Sequence, residues 1–568
     1  MKKANTPPSN VSAENNRLYF GDNLNILREH LRDESVDLIY LDPPFNSHAN
    51  YNVLFKSPKG AESLAQIEAF EDTWHWNEQA EREFTELVHQ SNTNVSEMIQ
   101  ALRRFLGEND MMAYLTMMAN RLLELHRVLK PTGSLYLHCD PTASHYLKIV
   151  LDGVFGKGNF RNEITWKRQS AHNDAKKKFA NVSDIIFFYV KSEAAAFTPL
   201  YIEHDPEYVR NFYRHDDGDG RGLYRLSDMS APAGGGMAAI NKTTGKPNGW
   251  YEWRGYQPPE RGWRYQKETM QKLHDEGRIY YPTQPDGQAD TTKRLALKRY
   301  LNEQEGSIVT NVWTDINALS AAAAESLGYP TQKPVALLER IIQASSNEGD
   351  VVLDPFCGCG TAVHAAQKLN RQWIGIDITH LAISLIEKRL HDAFPQIDFA
   401  VEGTPKDFEG ARNLALRDKY QFQWWACSLV NAQPFQGKKK GADGGIDGLI
   451  YFKDDSKLPK KIIVSVKGGE NVSRTMVADL KNAVEREKAQ LGLFVTLTPP
   501  TAPMKTEASA AGFYDSPHHG SFPKIQILTI AGLLLGAERA RYPDMSYGVQ
   551  TFKPAKVEEK TRDQTDLF

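Results

Sequence analysis

Asp42-Pro43-Pro44-Phe45 is the segment of this chain whose residue types best suit the activation of a poorly nucleophilic amine. It follows an apolar run, Val36-Asp37-Leu38-Ile39-Tyr40-Leu41, that reads as a buried strand. The tetrapeptide therefore falls at the carboxyl edge of a sheet, where open α/β folds place their sites. An amino nitrogen conjugated to a heteroaromatic ring shares its lone pair with that ring, and fixed oxygens that accept its hydrogens draw the lone pair back. The Asp42 carboxylate supplies one acceptor. A backbone carbonyl of the Pro43-Pro44 turn supplies another, because proline offers no competing N–H. Phe45 can stack on the ring. Taken alone, Asp-Pro-Pro-Phe reads more readily as an ordinary strand-end turn; a second motif reverses that balance.

The second motif is Asp354-Pro355-Phe356-Cys357-Gly358-Cys359-Gly360-Thr361, which follows the apolar run Val351-Val352-Leu353 and opens a helix. Asp377 ends the next strand. Strand, glycine turn, helix, strand and acid in that order have the geometry of an adenosine site. Gly358 and Gly360 let the backbone approach a ligand, and a carboxylate at the strand tip can accept from both ribose hydroxyls. The plainer reading is a tight turn with Asp377 as a helix cap. Cys357 and Cys359 alternate with glycines where small side chains fit, and two ligands make an incomplete metal site.

These motifs need a sheet to hold them. From Leu18 to Phe160 strand-like runs alternate with helical patterns, the longest helix being Met111–Leu129, which exits at Lys130-Pro131-Thr132-Gly133. Between Asn162 and Gly328 the pattern gives way to an irregular segment rich in Gly, Trp, Tyr and Arg, and it returns at Pro334. One sheet is thus expected in two halves, 16–161 and 329–402, around an insert, 162–328. A polar connector, 403–419, leads to a third α/β segment, 420–552, and a polar tail, 553–568. Of the 568 residues 41% are hydrophobic and 24% charged, enough to bury several cores. A net charge of −3 gives no global sign of a polyanion partner, yet Lys167-Arg168 and Lys176-Lys177-Lys178 are local basic clusters. The four cysteines are too scattered for a disulfide framework and are expected to be reduced. The N-terminus lacks an apolar run behind its lysines, and no run is long enough to span a bilayer, so the chain reads as cytoplasmic without a membrane partner.

In their order, the two motifs resemble those of the permuted beta group of DNA amino-methyltransferases, the N4-cytosine/N6-adenine family, as in Type III modification subunits. Gly21-Asp22-Asn23 before Ser35–Ile39, the strand Gly133–Cys139, and Tyr329-Pro330-Thr331-Gln332-Lys333-Pro334 also look like family motifs. The resemblance implies a Rossmann-like α/β sheet split by a target-recognition insert. The first half carries catalysis through Asp42, Pro43, Pro44 and Phe45, and the second binds S-adenosylmethionine. It places Asp22 near the cofactor adenine, Thr331, Lys333 and Thr361 near its methionine end, and Asp354, Phe356, Gly358, Gly360 and Asp377 around the rest. It implies double-stranded DNA as partner, with the target base flipped out, and admits a homodimer or a restriction or defence-system subunit. Lys167, Arg168, Lys176, Lys177 and Lys178 become phosphate contacts. Trp250, Trp253 and Trp263 read either as stacking residues or, more commonly, as core. Asp42 with Phe45 favours N6 of adenine over N4 of cytosine. A non-enzymatic DNA-binding defence module is the rival from another class.

In the C-terminal third, Asp443 and Asp447 precede a strand, and Ile462–Lys467 forms another ending in a lysine. This resembles the PD-(D/E)xK fold of Mrr-like restriction endonucleases and implies a nuclease site of Asp443, Asp447, Ser465 and Lys467, with Mg²⁺ held through Asp447. Ser465 stands where that family usually has Glu or Gln, and a hydroxyl is a weaker metal ligand. A bifunctional methyltransferase and nuclease, a degenerate copy that only binds DNA, and an unrelated α/β domain all stay open.

Overall fold

The computed structural model describes residues 16–44, 50–56, 62–71, 75–168, 179–234, 236–320, 323, 325–327, 329, 331–435, 445–454, 459–543 and 555–558. Phe45, Lys176, Lys177, Lys178 and Asp443 lie outside them.

The strands expected from the apolar runs form, and they share one nine-stranded sheet among the described residues. In chain order its strands are β1 (Arg17–Phe20), β2 (Val36–Leu41), β3 (Leu129–Cys139), β4 (Phe160–Lys167), β5 (Ser183–Val190), β6 (Val312–Trp313), β7 (Val351–Asp354), β8 (Gln372–Asp377) and β9 (Ala400–Glu402). Their order in space is β6-β4-β5-β3-β2-β7-β8-β1-β9. β2 is buried at every residue. Its one acid, Asp37, is matched by Lys130 Nζ at 2.7 Å and by the Val351 N–H at 2.9 Å. β2, β7, β8 and β1 are neighbours and all parallel, with Leu38 opposite Val352 and Leu353 opposite Ile374. The carboxyl ends of four strands distant in sequence therefore meet at one edge, which is where the two motifs were expected.

Helices α1 (Asn23–His30), α2 (Asp110–Val128), α3 (Val335–Ser345), α4 (Thr361–Lys368) and α5 (His380–Ala393) follow or cover these strands. Asp22 caps α1 by accepting from the Asn25 N–H at 3.2 Å, and Thr379 caps α5 by accepting from the Ala382 N–H at 3.1 Å.

The insert is narrower than 162–328. β4 and β5 pair antiparallel, β5 pairs antiparallel with β3, and β6 joins β4, so residues on both sides of the expected boundary belong to the main sheet. The cause is the run Ile185-Ile186-Phe187-Phe188-Tyr189-Val190, whose side chains need a covered surface and find it beside β3. A separate compact unit comprises Pro199–Thr310. It is built on a three-stranded antiparallel sheet of Ile279–Tyr280, Ala296–Tyr300 and Tyr224–Asp228. Trp253 and Trp263 lie in its core, where the Trp263 indole N–H donates to the Tyr251 carbonyl at 2.8 Å. Trp250 is exposed.

The C-terminal third begins with α6 (Lys419–Ser428) and a five-stranded sheet of β10 (Gln433–Pro434), β11 (Gly448–Phe452), β12 (Lys460–Lys467), β13 (Leu491–Thr496) and β14 (Ile525–Thr529), in that order. It is packed onto the second half of the main sheet. Tyr329, Cys359, Leu381 and Leu385 share an apolar cluster with Ile446, Leu449, Ile463 and Phe494, and the Gln421 side chain accepts from the His380 N–H at 3.0 Å. The tail also takes part, since Glu558 reaches His364 at 3.2 Å and Lys368 at 3.4 Å on α4. All four cysteines are free and buried. Among the described residues, no helix is long and apolar enough to cross a membrane.

Candidate active site

A cavity of about 300 Å³ opens at the carboxyl edge of β2, β7, β8 and β1. Asp42, Pro43 and Pro44 line it together with Asp354, Phe356, Gly358, Thr361 and Asp377, so the two motifs face one space although more than 300 residues separate them. Asp22, Thr331 and Lys333 line it as well. Gly360 stands behind the wall at the left-handed N-cap of α4, φ 75°, where an added Cβ would meet Ile386 Cγ1 at 2.8 Å. Gly358 is also left-handed, φ 53°, and Tyr329 packs on it so closely that a Cβ would lie 3.2 Å from Cε1.

Asp377 holds this loop. Its Oδ2 accepts from the Gly358 N–H at 2.9 Å, and its Oδ1 accepts from the Thr379 N–H and hydroxyl, each at 2.9 Å. Asp354 accepts from the Phe356 N–H at 3.0 Å. Burial pushes the Asp354 carboxyl up to about 8 and the Asp377 carboxyl up to about 6. An unfolded chain releases the Asp354 proton near pH 4, so the folded state binds the extra proton between about pH 4 and pH 8, and stability falls with rising pH across that window. Asp354→Asn keeps the acceptor for Phe356 and removes this loss. Its gain in melting temperature over wild type is expected to widen from about pH 5 to about pH 8 and to level off above. A gain independent of pH would contradict it.

Asp42 is held from one side only. Lys333 Nζ donates to Asp42 Oδ2, whereas Asp42 Oδ1 is buried and has no hydrogen-bond partner among the described residues. A buried carboxylate oxygen without a donor is costly, and one on a cavity wall is open to a donor from whatever fills that cavity.

Several residues that the motifs did not single out complete the site. Arg121, buried on α2, donates to Asp22 Oδ2 at 2.8 Å and to Asn23 Oδ1 at 2.6 Å, and Asn23 donates to the Pro355 carbonyl at 2.8 Å. One arginine thus ties the start of α1 to the glycine loop through Asn23. Arg389 on α5 donates to the Cys359 carbonyl at 3.0 Å and to Thr361 Oγ1 at 3.2 Å. Tyr40, which lines the cavity, shares a 3.0 Å hydrogen bond with His138 Nδ1, and His138 Nε2 lies 3.2 Å from Asp184 Oδ2. Burial would raise the Asp184 carboxyl; the His138 hydrogen bond and nearby cations instead hold it below the usual carboxylate range. Arg168 Nε lies 3.1 Å from Asp184 Oδ1, so this expected phosphate contact faces a buried carboxylate, while Lys167 is exposed. A buried Arg or His at helical or strand spacing carries no local sequence signal, so the sequence alone does not reveal these residues.

In the C-terminal sheet Asp447, Ser465 and Lys467 do come together. Asp447 Oδ2 accepts from the Val466 N–H at 2.7 Å and from Ser465 Oγ at 3.3 Å, with Lys467 Nζ 3.5 Å away, and Oδ1 accepts from Gln423 Nε2 at 2.8 Å. Lys467 Nζ also donates to Ser465 Oγ at 3.0 Å. Donors therefore surround the carboxylate expected to bind Mg²⁺, and no group of three or more His, Cys, Asp or Glu among the described residues is arranged to hold a metal. The described members of this set, Asp443 lying outside them, do not fit that ion.

The parallel strands β2, β7, β8 and β1 with a cavity at their carboxyl edge, in an otherwise mixed sheet, have the Rossmann-like α/β form of methyltransferases. Within that class the chain belongs to the N6/N4 DNA methylase family, whose model matches residues 36–388. A second model, described as NACHT-associated inactive restriction endonuclease 1, matches residues 429–532. The Type II methyltransferase M.EcaI of Enterobacter cloacae is 32% identical over 278 residues, 49% of this chain and 57% of that protein. The Type III restriction-modification enzyme StyLTI Mod subunit of Salmonella typhimurium is 27% identical over 381 residues, 64% of this chain and 52% of that protein. The chain thus spans little more than half the length of these curated relatives. A crystal structure of a Thermus thermophilus protein described as a DNA modification methylase, complexed with S-adenosylmethionine, aligns over 68% of this chain and 97% of its own at 15% identity, with a TM-score of 0.32.

Proposed function

We propose that the protein methylates N6 of adenine in double-stranded DNA, using S-adenosylmethionine, within a restriction-modification or phage-defence system. The observation that carries this reading is Asp42 Oδ1, a buried acceptor without a donor among the described residues, in the cavity that the glycine loop and Asp377 also line. The residues present suit the cofactor. Gly358 lines the cavity beside the Asp377 carboxylate, which stands at the β8 tip for ribose hydroxyls, and burial leaves Asp354 largely uncharged near neutral pH. When bound, S-adenosylmethionine supplies a methyl carbon activated by its sulfonium. The chain supplies the rest: Asp42 Oδ1 and a carbonyl of the Pro43-Pro44 turn accept the two amino hydrogens and turn the nitrogen lone pair out of the ring. The base must leave the duplex first, at a cost of about a few kcal/mol that stacking and pocket hydrogen bonds offset.

Kinship to a Type III Mod subunit and a Type II methyltransferase supports the restriction-modification setting. We read the C-terminal domain as one that does not cleave, because the carboxylate of its expected metal site is surrounded by protein donors. Both readings can be tested on DNA from a host without adenine methylation. Tritium from labelled cofactor is expected to appear as N6-methyldeoxyadenosine after enzymatic digestion, and the DNA is expected to stay intact with Mg²⁺ or Mn²⁺ added. Label in N4-methyldeoxycytidine would reassign the base. Metal-dependent nicking lost in Lys467→Ala would restore the nuclease.

A further inference from the structure

Lys333 was placed with the cofactor's methionine end by its motif, yet its side chain goes to the catalytic carboxylate. We propose that Lys333 is the positioning residue of Asp42: it engages Oδ2 and so leaves Oδ1 as the oxygen that meets the target amine. This rests on the methyl-transfer reading and goes beyond it, because it says why one carboxylate oxygen and not the other accepts.

The segment that delivers Lys333 is unusually constrained. Thr331, a β-branched residue, holds φ 61°, in a region such residues rarely adopt, and its carbonyl lies 3.4 Å from Lys333 Nζ. Gln332 bonds at both ends of its amide, accepting from the Leu327 N–H at 2.8 Å and donating to the Glu325 carbonyl at 2.7 Å. Pro334 then fixes φ and starts α3. Backbone strain of this kind persists only where the surroundings over-determine it, and here it brings a long cation back across the cavity wall.

The two oxygens of an isolated carboxylate are interchangeable by rotation about the Cβ–Cγ bond. With Lys333 on Oδ2 they are not. The lysine side chain is 9% exposed and that of Asp42 17%, so the pair is largely withdrawn from water. Rotation would require breaking a largely buried ion pair, and Oδ1 is therefore held in one place. Amino hydrogens must be met within a narrow geometry, and a small misplacement of an acceptor costs about 100-fold in rate. A lysine that instead gripped the cofactor's carboxylate would have to leave Asp42, which gives the two roles opposite signatures.

The test uses the full-length protein with four variants: Lys333→Met, Lys333→Arg, Asp42→Asn, and Lys333→Met combined with Asp42→Asn. Turnover is read as tritium transfer to DNA from a host without adenine methylation, and ligand affinity as calorimetric binding of sinefungin. Lys333→Met is expected to lower kcat by about 100-fold while the DNA KM and the sinefungin Kd stay within about threefold, with Lys333→Arg recovering part of the loss. The double variant is expected to be no slower than Asp42→Asn alone, since both changes disable one unit. Sinefungin binding and thermal melting of each variant certify its fold, and Lys333→Arg keeps the cation should Lys333→Met melt early. A further readout needs no turnover: in ligand-free protein labelled with ¹³C-carboxyl aspartate, the resonance missing from Asp42→Asn should move in Lys333→Met. A stationary resonance, losses that multiply in the double variant, or sinefungin weakened at least about tenfold with kcat intact would each overturn the assignment. Wild type without any transfer, but with that resonance moving, would remove the functional reading and leave the ion pair standing.

Discussion

Asp42→Asn is expected to lower methyl transfer by about 100- to 1000-fold while leaving affinity for S-adenosylhomocysteine, which carries no group at the methyl position, nearly unchanged. The substitution conserves shape and alters only hydrogen-bond polarity. Lys333 Nζ, a pure donor, faces one side of the carboxylate, so the amide oxygen is drawn to that side and the NH₂ group takes the place of Oδ1. A donor would then confront the hydrogens of the target amine, and the nitrogen lone pair would stay in the ring. Steady-state tritium transfer at saturating DNA measures the loss, and unchanged turnover would remove Asp42 from catalysis.

Asp377→Asn is expected to act on the other partner. Both Asp377 oxygens accept from donors, Gly358 on one side and Thr379 on the other, so either orientation of an amide sets an NH₂ against an N–H. Losing a charge-assisted hydrogen bond and leaving a buried donor unpaired weakens the loop by about 1.5–3 kcal/mol, which corresponds to roughly 10- to 100-fold in sinefungin Kd. Calorimetric titration reads it directly. An affinity within about twofold of wild type would mean that the glycine loop does not depend on this carboxylate. The two substitutions thus separate the chemistry from the cradle, and a protein in which both changed only kcat or both changed only Kd would not have the divided site described above.

The parts of this site written in consecutive residues were legible from the sequence. The run Val36–Leu41 before Asp42, and the run Val351–Leu353 before the glycine loop, carry period and punctuation that local rules can read. The alternation of strands and helices implied a parallel sheet, but its order β2-β7-β8-β1 was not readable and comes from the structure. What local rules missed are pairings across long separations. Ser183–Val190 looked like part of the insert because nothing near it in sequence shows that its partner is β3, some fifty residues earlier. Lys333 and Asp42 lie 291 positions apart, and neither residue's neighbours advertise the other. Arg121 and Arg389 sit in apolar helical patterns where an arginine reads as an edge of the exposed face, yet both are buried because backbone carbonyls and acids await them. In the C-terminal domain the spacing of Asp447 and Lys467 was readable, but Gln423, 24 positions upstream of Asp447 on a preceding helix, was not, and it supplies the donor on Oδ1.

That a turn after β2 and a loop after β7 serve one bound ligand is tested most directly by a crystal structure of the protein with sinefungin, whose amine replaces the sulfonium methyl. The expected result is the adenosine moiety against Gly358 and Asp377 with that amine nitrogen within about 3.5 Å of Asp42 Oδ1. Sinefungin bound elsewhere, or seated on the glycine loop with its amine turned away from Asp42, would contradict it.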